Sequence, residues 1–115
     1  MTVFDNGNTR VSQTGGGDSR GMALSVDETN MQVTPVLSAD LSVFSTAMGS
    51  AQLLVDGNYF FLPAIVPFSP SIFYSYAIEI VPIAGTPTGP QSLNLQGPEA
   101  YRGWQMPSLY APPTT

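Results

Sequence analysis

Three arginines, Arg10, Arg20 and Arg102, are the only cations in a chain of 115 residues. A guanidinium presents a planar fork of donors that matches sulfate or carboxylate oxygens in pairs. All three are therefore candidate anion-binding residues. Each also has a plainer reading as the partner of a nearby acid, with Asp18 beside Arg20 and Glu99 beside Arg102. Tyr101 and Trp104, close to Arg102 in sequence, are candidates for an aromatic platform on which a ring could stack. Packing against neighbouring elements is their plainer reading.

Other chemistry is missing from the alphabet of this chain. It has no His, no Cys and no Lys. Zinc, haem and iron–sulfur centres lose their usual ligands, and no metal or cofactor is expected. A Ser-His-Asp triad, a Cys nucleophile and a His general base are equally out of reach. Eight acids against three cations give a net charge of -5, which argues against nucleic acid. Asp5-Asn6-Gly7-Asn8 has oxygen ligands but lacks the spacing of a calcium loop, and reads as a turn. Asp27-Glu28 reads as a solvated hairpin tip. Gly15-Gly16-Gly17 has no following Lys and no helix, so it is not a phosphate loop.

Strands must position these residues, because period-2 alternation dominates and no helix is evident. Thr2 to Phe4 ends at the Asp5–Asn8 turn. Met22 to Val26 and Met31 to Leu37 form a hairpin around Asp27–Asn30, with Pro35 marking an edge or a bulge. Ser38 to Met48 reads as a loop with an apolar plug of Leu41, Val43 and Phe44. Gly49–Val55 and Tyr59–Val66 flank Asp56-Gly57-Asn58, the strongest hairpin signal present. Pro67–Ser71 reads as a loop. Phe73–Val81 and Pro90–Gln96 form the next hairpin, with Tyr74, Tyr76, Ile78 and Ile80 sharing a face. Tyr101 to Leu109 reads as a closing strand.

These elements repeat at an offset of roughly 50 residues, the period of a four-stranded propeller blade. The expected fold is one all-β domain over residues 1–115, made of antiparallel four-stranded meanders. About two blades of a β-propeller are expected, over 1–37 and 49–96, with a closing strand at 101–109. A small β-sandwich is the alternative. Two blades leave apolar faces and edges open, so partners are expected: further copies, with a trimer giving six blades, or a separate propeller chain. The longest apolar stretch, Tyr59 to Val66, is too short to span a bilayer, and no membrane association is expected. Met1 to Arg10 lacks the charged and apolar regions of a signal peptide, and none is expected.

In order along the chain, Phe4-Asp5-Asn6-Gly7-Asn8-Thr9-Arg10, Ser19-Arg20, Gly49-Ser50-Ala51-Gln52-Leu53-Leu54, Asp56-Gly57-Asn58 and Tyr101-Arg102-Gly103 resemble the C-terminal part of the arylsulfotransferase (ASST-type) family. The run Gln96 to Pro107 is similar to its uncharacterised fungal and bacterial branch. The resemblance implies a secreted or periplasmic six-bladed propeller that moves a sulfuryl group between phenols through a sulfated His. It matches Arg10 to the family's arginine and brings Arg10 and Arg102 towards a central channel, where a small anionic or phenolic ligand would bind. The nucleophilic His directly before Tyr-Arg is replaced here by Ala100. The expectation is therefore a non-catalytic relative that acts by self-assembly or by binding such a ligand. The alternatives are a sulfotransferase completed by another chain and a structural extracellular assembly protein.

Overall fold

The computed structural model describes residues 1–8 and 18–106. Eight strands follow in chain order: β1 Thr2–Asp5, β2 Arg20–Asp27, β3 Gln32–Asp40, β4 Gly49–Leu53, β5 Tyr59–Pro63, β6 Val66–Ser69, β7 Ile72–Ile80 and β8 Gln91–Pro98. The chain is all-β and every strand pairing is antiparallel. β1, β2 and β3 form one sheet in that order, and β4 to β8 form the second.

Asx turns punctuate the strands. Asp5, Asp27, Asp40 and Asp56 each accept a hydrogen bond on Oδ1 from the backbone N–H two residues on. At the β2–β3 turn the Asn30 side chain and backbone also donate to Asp27, and these bonds hold its carboxyl below the usual aspartate range. Gly57 supplies a φ of 91° to the β4–β5 turn. That hairpin closes as the sequence predicts, with Leu53 opposite Tyr59.

In the second sheet, β7 carries β8 along one edge, from Tyr74 opposite Pro98 to Ile80 opposite Gln91. Its other edge carries β5 at Ile78–Ile80 and β6 at Ile72–Tyr74. The two short strands therefore act as one partner, offset by one residue between them. Pro67–Ser71, expected as a loop, thus contains strand residues up to Ser69. Two prolines hide the alternation there, while β7 supplies the ladder. Similarly, β3 runs on to Asp40 where a loop was expected from Ser38, because β2 extends back to Arg20 and pairs with it. Pro35 does lie on the edge strand, beside a register shift between Ala23 and Leu24.

The main core lies between the two sheets. Ala23, Leu37 and Ala39 from the first, with Leu41 just after β3, meet Phe61, Ile78 and Ile80 from the second. Phe61 is fully buried, and a methyl on Gly21 would collide with its ring. The inward face of β2 is therefore the small one. Met22, Leu24 and Val26, which share a face by alternation, point to the opposite side. A second cluster of Phe60, Leu62 and Ala64 lies on the far face of the β4–β8 sheet, with Ala77 and Ala100 packed against it.

The loop between β3 and β4 is tied in by buried serines. Ser19 Oγ donates to Asn6 O and accepts from Ser45 N–H, while Asn6 Nδ2 donates to Ser45 O. Ser45 Oγ accepts from Ile65 N–H at the β5–β6 offset. Both serines are completely buried, so these bonds hold groups that water cannot reach.

Candidate functional site

Arg20 opens β2 directly opposite Asp5 at the end of β1. Its Nε donates to Asp5 Oδ2 at 2.7 Å, with about a third of each side chain exposed. The acid beside it is thus a cross-strand neighbour fifteen residues away, visible only once the register is known. This guanidinium already holds an anion, the Asp5 carboxylate. Arg10 lies outside the described residues.

Arg102 stands differently. It is exposed, its guanidinium carbon lies 4.9 Å from the centre of the Tyr101 ring, and Nη2 is 3.5 Å from the Tyr101 hydroxyl. Among the described residues it makes no ion pair, with Glu99 or any other acid. Tyr101 thus serves as a cation–π partner for its neighbour. Trp104 makes no ring contact with it and stays half exposed at 51%.

The segment carrying these residues is held by two side chains that sequence reasoning quoted without assigning a role. Ser50 Oγ donates to Gly103 O at 2.9 Å and accepts from Gly103 N–H at 3.2 Å. Gln52 Nε2 donates to Gln105 O at 3.0 Å, and its Oε1 accepts from Gln105 N–H at 2.9 Å. Ser50 and Gln52 alternate along β4 on the face shared with Leu62 and Phe60, their cross-strand partners. Residues 101–106 therefore lie over the far face of the second sheet, parallel to β4. They make a side-chain ladder where a closing strand was expected. Gly103 sits against the Leu62 methyls, which would have to give by a few tenths of an ångström to admit a Cβ. Alternation turns Arg102, Trp104 and Met106 outward, and all three are exposed.

Ala100, just before Tyr101-Arg102, belongs to the same docking. Its N–H donates to Ala64 O at 3.1 Å, and its methyl packs on the Phe60, Leu62 and Ala64 cluster. No group of three or more metal-ligating side chains forms among the described residues. A groove of about 140 Å³ lies between the end of β4 and Gln105–Met106.

The model of the arylsulfotransferase (ASST) family matches residues 1–83, most of the chain. The chain belongs to the arylsulfotransferase family. No curated protein and no solved structure matches it. The matched stretch contains Phe4–Arg10, Ser19-Arg20, Gly49–Leu54 and Asp56–Asn58, the first four of the five parts of the resemblance. Tyr101-Arg102-Gly103 lies beyond it. In this arylsulfotransferase-family chain, the matched residues thus build the first sheet and the second through the end of β7, and the Arg102 segment docks onto them through Ser50 and Gln52. No helix long and apolar enough to cross a membrane occurs among the described residues.

Proposed function

We propose that this arylsulfotransferase-family chain is a non-catalytic unit that works by assembly, in an extracellular or periplasmic setting. The observation that carries this reading is the absence of histidine from the whole sequence, together with Ala100 where the family resemblance puts the nucleophile. A methyl group cannot accept a sulfuryl group, and the histidine-linked intermediate of the family's reaction cannot form without a histidine. Ala100 is also committed to packing and to a backbone bond with Ala64. The β1–β3 sheet supports the assembly side, since it packs one face in the core and leaves apolar residues such as Val26 and Val33 exposed on the other. Successive blades of a propeller have that character.

The test is turnover of 4-nitrophenyl sulfate with a phenol acceptor, followed as released 4-nitrophenolate. The expected rate is that of the buffer. Sustained release by the purified chain would overturn the non-catalytic reading in favour of a sulfotransferase. Release only after adding a second propeller chain would favour an enzyme completed by its partner.

A further inference from the structure

Residues 101–106 are held on the far face of the second sheet by β4 side chains that bond to their backbone. The Ser50 hydroxyl and the Gln52 amide each accept an N–H from one residue and donate to its carbonyl, at Gly103 and at Gln105. A neighbouring strand would offer similar bonds, so an extended segment of many sequences can satisfy them. Selection by side chain enters at two points. At Gly103 a Cβ would stand 3.1 Å from both Leu62 methyls, so glycine fits and a branched side chain must push them aside. At Gln105 the side chain lines the groove of about 140 Å³ together with Leu53, Leu54 and Val55. Its Oε1 is buried and has no hydrogen-bond partner. A buried acceptor without a donor opposes docking, and an apolar side chain suits such a wall better. The segment is thus well matched at Gly103 and poorly matched at Gln105.

We propose that this strip of β4 is a binding site for an extended peptide with glycine two residues before an apolar side chain, and that residues 101–106 occupy it as a replaceable stand-in. The residues of the site, Ser50, Gln52 and Leu62, lie within the stretch matched to the family, and the occupying segment lies beyond it. The incoming segment belongs to another protein and lies parallel to β4, as residues 101–106 do. A tethered segment competes at an effective concentration in the millimolar range, so the incoming peptide must fit better than the resident one. An apolar residue in place of Gln105 supplies that difference. Removing the orphaned acceptor is worth about tenfold in affinity. Sulfuryl transfer by the chain, present or absent, leaves this site unchanged.

A fluorescein-labelled peptide of residues 99–106 carrying Trp104→Phe and Gln105→Met serves as the probe. Titrated with the full chain, its polarisation should rise to saturation. Acrylamide quenching of Trp104, the only tryptophan in that mixture, should rise in step as the resident segment is displaced. The same peptide with Gln105 retained should bind about tenfold more weakly. With Gly103→Val in the peptide, binding should be lost, a control that needs no altered protein. Gly103→Pro in the chain removes the N–H given to Ser50 and frees the site, so this variant should bind the probe more tightly than the wild type does. Ser50→Ala with Gln52→Leu in the chain should abolish binding, with circular dichroism checking the fold. Should that variant not fold, the valine peptide decides. Unchanged polarisation with the Gly103→Pro chain at about 1 mM, the scale of a tethered competitor, overturns the proposal. Equal binding of the glycine and valine peptides overturns it too, as does binding to the wild type that leaves Trp104 quenching unchanged.

Discussion

Glycine 21 shows how one residue sets the distance between layers. Its missing side chain makes the seat for the Phe61 ring. Gly21→Ala should therefore lower stability by about 1–3 kcal/mol, as overpacking does in a close-packed core. Urea unfolding measures this as a lower midpoint with an unchanged slope. An unchanged midpoint would mean that the sheets can separate by the width of a methyl group. Chemistry at this scale was only partly legible beforehand. The arginines were visible as candidates from their rarity. The partner of Arg20 was not, because Asp5 meets it through strand register and not through sequence proximity. Nor did alternation alone say which face of β2 goes inward. Hydrophobicity favours Met22, Leu24 and Val26, yet close approach of the sheets requires Gly21 and Ala23 there.

Among the elements, the docking of residues 101–106 depends on Gln52 more than on any ladder of its own. Gln52 reproduces with one amide the two bonds a neighbouring strand would make to Gln105. Gln52→Leu removes both, at a cost of about 0.5–1.5 kcal/mol for each bond. Trp104 is the only tryptophan, so its fluorescence reports this segment without interference. Acrylamide quenching should rise in the variant while the sheet signal in circular dichroism is retained. Equal quenching in both proteins would show that packing against Leu62 suffices to hold the segment. The hairpins were readable because turn chemistry is local: Asp-Gly-Asn and Asp-Glu-Thr-Asn each close one. β6 was hidden because its ladder is donated by β7, and propensity at Pro67 and Pro70 argues against a strand.

For the whole molecule, the inter-sheet core decides whether the two sheets behave as one unit. Phe61 belongs to the second sheet and shares its core cluster with Ala23, Leu37 and Ala39 of the first. Phe61→Ala should cost about 3–5 kcal/mol, a large share of the stability of a domain this size. Thermal unfolding of the wild type should be a single transition. The variant should lose the β1–β3 signals in an NMR spectrum together with those of β5 and β7. Separate transitions in the wild type would mean two independently stable sheets. The all-β class was legible from composition and period, but the strands were not all legible, since β6 was read as loop and residues 101–106 as strand. The layering was not, since no pattern along a chain states which faces meet.

The bulge beside Pro35 also bears on how such a molecule avoids misassembly. β3 is an open edge of the first sheet, and an open edge invites strands from other molecules to add without limit. Here Pro35 offers no N–H, the shift at Val36 breaks the regular spacing of donors, and Ser38 N–H is already given to Pro87 O of the β7–β8 connection. The edge is thereby blunted against amyloid-type growth, even though the face beside it is rich in valine, leucine and methionine.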